Sequence, residues 1–131
     1  MSERTVQYGG CSPVLRVENI ARSLRFYVDI LGFENVEWGT DDFTRINRGK
    51  SCIFLCRQAQ GAGRAWMWVG IDDTARLHEE LAAQGVAIRL PPTNFFYALE
   101  MHVEDPDGNV LRFGSDPLTD RPFEELRFRE D

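Results

Sequence analysis

The sequence predicts an α+β domain of two tandem βαβββ modules, and three observations carry that expectation. The order strand, helix, three strands is legible twice along the chain. Val17-Glu-Asn-Ile-Ala-Arg22 is echoed by Ile71-Asp-Asp-Thr-Ala-Arg76 at the same point of each half. Between the halves, residues 58–64 lack hydrophobic periodicity and carry two glycines, the composition of a linker.

The first module spans about residues 12–57. Residues 13–17, Pro-Val-Leu-Arg-Val, alternate as a short strand. Asn19 is the N-cap of a helix over 20–31, because Ile20, Leu24, Tyr27 and Leu31 recur at spacings of three and four, and Gly32 stops it. Strands over 35–38, 43–47 and 51–57 follow, separated by turn-forming stretches. The second module spans about 65–114. It opens with a strand over 65–71, then a helix capped by Asp72 or Asp73, carrying Leu77 and Leu81 and ended by Gly85. Strands over 86–90, 97–104 and 109–114 complete it, with Pro91-Pro92 in a loop and Asp105-Pro-Asp-Gly108 a turn. The tail, 115–131, is charged but keeps Phe123, Leu126 and Phe128 for packing on the domain or a partner.

With 131 residues, 43% of them hydrophobic, the chain can fill one core. The net charge of −6 repels nucleic acid and anionic membranes and favours a cationic ligand. No apolar run reaches the length of a membrane span, and the start Met-Ser-Glu-Arg is not that of a signal peptide, so a cytoplasmic location is expected. Cys11, Cys52 and Cys56 form no disulfide framework and no close-spaced metal cluster. On one strand, Cys52 and Cys56 would stand about 13 Å apart, beyond disulfide reach.

Strand alternation sorts side chains onto two faces. Leu15, Val17, Ile53, Leu55, Met67, Val69, Ile71, Leu99, Met101, Val103, Leu111 and Phe113 are expected against the helices. Ser12, Phe54, Trp66, Trp68, Glu100, His102, Glu104 and Arg112 fall on the other face. Two tryptophans, a phenylalanine, a histidine and an arginine on one concave face have the composition of a small-molecule site, although such rings also serve as plain packing. His78, within a helix, is expected at the surface.

The segment VLRVENIARSLRFYVDILGF, from Val14 to Phe33, resembles the opening of the glyoxalase/bleomycin-resistance/dioxygenase superfamily, also called vicinal oxygen chelate. VEDPDGNVLRF, from Val103 to Phe113, is similar to its closing turn and strand. The resemblance implies paired βαβββ modules around a cleft, usually completed in a homodimer. It also implies that metal-dependent members take ligands from the first and last strand of each module. At those points this chain has Ser12, Phe54, Trp66 and Arg112, none of them a good ligand for a divalent ion. His102 lacks a His or Cys partner at a plausible spacing, with only Glu100 and Glu104 as same-face neighbours.

The leading expectation is therefore a binding protein of the bleomycin-resistance type, without metal or other cofactor, that sequesters a planar molecule rather than transforming it. Trp38, Phe54, Trp66, Trp68, Phe95, Tyr97, His102 and Arg112 are the candidate ligand contacts. The alternative is a glyoxalase-like lyase or isomerase, either with unorthodox metal ligands or with His102 as general base beside Arg112. An interaction module whose aromatic face is buried by a partner ranks third.

Overall fold

The computed structural model describes residues 5–125, so Leu126 and Phe128 lie outside the described residues. Among the described residues, eight strands form two four-stranded mixed sheets. The first has the order β1-β4-β3-β2, from β1 (Val14–Arg16), β2 (Glu34–Asn35), β3 (Phe43–Arg48) and β4 (Ser51–Cys56). The second repeats it as β5-β8-β7-β6, from β5 (Trp66–Gly70), β6 (Ile88–Asn94), β7 (Leu99–Glu104) and β8 (Val110–Ser115). In each, the first strand lies parallel to the last and the other neighbours run antiparallel. Each module thus repeats one α+β design.

The echoed hexapeptides explain the repeat at the level of single bonds. Asn19 caps α1 (Ile20–Leu24) by accepting from the Arg22 backbone N–H at 2.9 Å. Asp73, the equivalent residue, caps α2 (Thr74–Ala83) by accepting from the Arg76 N–H at 3.0 Å. Helix α1 continues as a π-helical stretch, Arg25–Ile30, whose wider turn lets the adjacent Phe26 and Tyr27 both reach the core. Gly32 and Gly85 follow the helices at φ 78° and 76°, as C-terminal stops.

The core is contiguous across both modules. Leu15, Val17, Ile53 and Leu55 of the first sheet pack in one cluster with Met101, Val103, Leu111 and Phe113 of the second, together with Tyr27 and Leu81 from the helices. Met67, Val69 and Ile71 pack against this cluster while partly exposed, so the aliphatic faces lie where alternation puts them.

Three elements depart from the sequence expectation. Strand β2 is two residues, Glu34–Asn35, rather than 35–38, which leaves Trp38 in a turn. Pro91-Pro92 lies inside β6 rather than in a loop. Because β6 is an edge strand, a missing N–H costs no ladder bond, and register shifts between Ile88 and Thr93 absorb the prolines. Residues 58–64 are packed against β1 rather than loose: Arg16 donates its N–H to Ala62 O at 3.3 Å. Gly61 permits this approach, since it takes φ 80° and a Cβ there would meet Val14 O at 2.7 Å. His78 is half-buried on α2 rather than at the surface.

The turn Asp105-Pro-Asp-Gly108 ties the modules together. Asp105, almost fully buried, accepts from the backbone N–H groups of Asp107 and Asn109, from Asn109 Nδ2, and from Tyr27 OH at 2.7 Å. Burial, then the Asp105 carboxylate, pushes the Tyr27 hydroxyl well above the ordinary phenol range. Asp107 accepts from Glu18 N and Arg22 Nη2, both at 2.9 Å, so the second module's turn docks on the start of α1. Beyond this turn, Asn94 Oδ1 accepts from Leu118 N, and its carbonyl accepts from Glu124 N, holding the start of the tail on β6.

Candidate functional site

The faces opposite the core carry the candidate residues in two groups. On the first sheet, Trp38 stacks on Phe43 (centroids 6.3 Å apart, 29° between planes), and Phe43 stacks on Phe54 (5.5 Å, 10°). Phe43 was not among the expected site residues. Its place follows from register, because β3 pairs with β4 so that Phe43 opposes Cys56 and flanks Phe54 on the same face.

On the second sheet, Trp66, Trp68, Tyr97, His102 and Arg112 come together around Glu100. Register again decides this: His102 opposes Arg112 on β8, and Arg112 opposes Trp68 on β5. The His102 ring meets Trp66 edge-on at 5.5 Å. Tyr97 stacks on Phe95 at 5.7 Å and meets Phe96 edge-on. The ring of Trp68 lies over Gly114, where an added Cβ would come within 2.1 Å of its Cη2. A glycine at that point on β8 is what lets the indole lie down on the sheet. Trp38, Trp66 and Trp68 remain 54%, 51% and 47% exposed. Among the described residues, the ring contacts of each group stay within its own sheet.

Glu100 is the centre of the second group. It is 1% exposed, and a carboxylate so buried needs every available partner. Its Oε2 accepts from Arg112 Nε at 2.5 Å and lies 2.6 Å from His102 Nε2. Its Oε1 accepts from Tyr97 OH at 2.5 Å and from Arg112 Nη2 at 3.2 Å. Burial by itself pushes the pKa of this carboxyl up, but the hydrogen bonds from Arg112, Tyr97 and His102 outweigh it and hold the group below the ordinary carboxyl range. Arg112 is correspondingly held more firmly protonated, chiefly by its bond to Glu100. Tyr97 is pushed up by burial and by donating to Glu100.

Glu100 stood in the sequence as a same-face neighbour of His102, two residues away. Its role as the anchor of Arg112 depends on the cross-strand pairing of β7 with β8. Ser12, at one expected ligand position, precedes β1 and is half-buried. Among the described residues, no three His, Cys, Asp or Glu side chains are grouped to hold a metal ion. Cys11, Cys52 and Cys56 are free thiols. No helix of the described residues is long and apolar enough to cross a membrane.

Two βαβββ modules, each a four-stranded mixed sheet of the same strand order, define a duplicated class of α+β domain. The chain belongs to the glyoxalase/bleomycin resistance protein/dioxygenase superfamily, whose family model matches residues 11–113. The bleomycin-binding protein of Streptomyces verticillus, solved in complex with copper(II)-bleomycin, is 29% identical with a TM-score of 0.71, covering 85% of this chain and 98% of that one. TnmS3, an antibiotic binding protein from Streptomyces sp. CB03234, is 20% identical with a TM-score of 0.71, over 88% and 98%. A lactoylglutathione lyase from Agrobacterium tumefaciens is 16% identical with a TM-score of 0.70, over 85% and 96%. These last two speak for the shared fold. Among curated proteins, none matches the chain.

Proposed function

We propose that this chain is a binding protein that holds a planar aromatic small molecule against its aromatic face, without a protein-bound metal. The observation that carries the reading is the saturation of Glu100, whose two oxygens already serve Arg112, Tyr97 and His102. This buried carboxylate is thus consumed as a positioning group. Ser12, Phe54, Trp66 and Arg112 supply no ligand set beside it, and a guanidinium repels a cation, so these residues do not fit a divalent ion. What they do offer is stacking surface: Trp66, Trp68, Phe96 and Tyr97 around Arg112 and His102 on one sheet, and Trp38, Phe43 and Phe54 on the other.

The partner that suits this geometry is a second copy of the chain. Among the described residues Trp38, Trp66 and Trp68 stay about half exposed on these faces, and a homodimer would cover them. Free thiols in odd number fit a reducing, cytoplasmic setting. The likeness to a bleomycin-binding protein supports sequestration as the mode of action.

A metal-free enzyme is the second reading, and the 2.6 Å contact between His102 Nε2 and Glu100 is the observation that favours it. A carboxylate orienting an imidazole is how general bases are built. Calorimetric titration with planar aromatic compounds in excess chelator separates the readings. Binding with the ligand recovered intact supports storage; turnover that disappears in His102→Ala establishes the enzyme instead, and no binding at all refutes both.

A further inference from the structure

All three tryptophans of the chain are covered by an arginine. Arg45 lies over Trp38 at 5.7 Å, Arg89 over Trp66 at 5.1 Å and Arg112 over Trp68 at 5.4 Å. One pair on every tryptophan marks a property of the face rather than of one contact.

We propose that the face selects an anionic aromatic ligand, a planar ring carrying a carboxylate or sulfonate, stacked on Trp66 and Trp68 with its charge delivered to Arg112. This rests on the planar-ligand reading above and adds the charge of the ligand to it. A cation that approaches any of these rings meets the like charge of the guanidinium beside it. Nor is either carboxylate beside Trp66 and Trp68, Glu100 or Glu104, spare to receive it. Glu100 is enclosed by Arg112, Tyr97 and His102, and Glu104 is paired with Arg89 at 2.7 Å. An anion finds the opposite situation. Arg112 is fixed by Nε and Nη2 to Glu100, and among the described residues no hydrogen bond engages its Nη1, leaving a preorganised donor beside the Trp68 ring.

Part of the chain's acidic balance stands away from Trp66 and Trp68. Asp72, Asp73, Glu79 and Glu80 are exposed around α2, on the helix side of the second sheet. Net charge describes the long-range field, whereas a stacked ligand responds to groups a few ångströms away, within the Debye length of about 8 Å at physiological salt.

The test uses three probes with one ring system, naphthalene-2-carboxylate, naphthalene-2-carboxamide and naphthalen-2-ylmethylammonium, titrated calorimetrically into the full chain at pH 7. The carboxylate is expected to bind roughly tenfold tighter than the carboxamide and the ammonium roughly tenfold weaker, with both gaps narrowing at high salt. Arg89→Gln, at an exposed position, is expected to narrow the gap, and the neutral pair Glu100→Gln with Arg112→Gln to abolish it without leaving a buried charge unpaired. Equal affinity for the three, or preference for the ammonium, overturns the anionic assignment while leaving the planar-ligand reading standing. Absence of binding by all three overturns that reading and the assignment with it.

Discussion

Replacing Arg112 by Met removes the main partner of a carboxylate that is 1% exposed. Taking one member from a buried ion pair costs about 3–5 kcal/mol when both charges are fully enclosed. Here Arg112 is 29% exposed, and Tyr97 and His102 stay on Glu100, so the expected loss at pH 7 is about 2–3 kcal/mol. For a domain of this size that lowers the melting temperature by roughly 8–12 °C. The dependence on pH has a definite sign. In the native protein the Glu100 carboxyl is held below its ordinary value, so its contribution is present above about pH 4.5 and is lost as pH falls through the lowered folded value. In Arg112→Met the same carboxyl keeps its burial and loses its cation, so its folded value rises, and the variant loses stability as pH climbs through that raised value. The gap between the two proteins therefore widens from pH 4 to pH 7. Thermal melts followed by circular dichroism at both pH values measure it, and adding Glu100→Gln to the variant closes most of it. A single variant that melts within about 2 °C of the native protein at both pH values refutes the role given to Glu100.

Gly114→Ala sets a methyl where Trp68 now lies, 2.1 Å from Cη2, so the half-exposed indole swings off the sheet. The expected result is a stability loss of only about 1 kcal/mol, a red shift of tryptophan emission, and planar-probe binding weakened roughly tenfold. Tyr27→Phe deletes the 2.7 Å bond to Asp105 in the tie between modules and is expected to cost about 1–2 kcal/mol in urea denaturation at pH 7. The native Tyr27 hydroxyl is raised well above 10.0, so its contribution is complete below that value and is lost as pH rises through the folded one. The variant accordingly loses the alkaline part of the native stability profile.

What was legible in the sequence was what local chemistry dictates. Asn19 and Asp73 announce helix starts because an N-cap is satisfied within three residues, and Gly32 and Gly85 announce ends because they take positive φ. Alternation likewise sorted Leu55, Met101 and Leu111 from Trp66, Trp68 and His102. Pro91-Pro92 misled because proline is excluded from central strands and not from edges, and which strand is the edge is a property of the whole sheet. The same limit applied to the site. Glu100, Phe43 and the arginine over Trp68 acquire their roles through pairing across strands, and register is not written in any one strand. Asp107 was readable as a turn residue, but its docking on Arg22 and Glu18 joins residues more than 80 apart in the chain.

The central claim is that the face binds a flat aromatic molecule with no metal of its own. Titrating naphthalene-2-carboxylate into the protein in excess EDTA, while following tryptophan emission, tests it most directly. Saturable quenching at an affinity unchanged by EDTA, and weakened in Trp68→Ala, is the predicted result. Quenching that appears only after nickel or zinc is restored contradicts the account, as does emission that never changes.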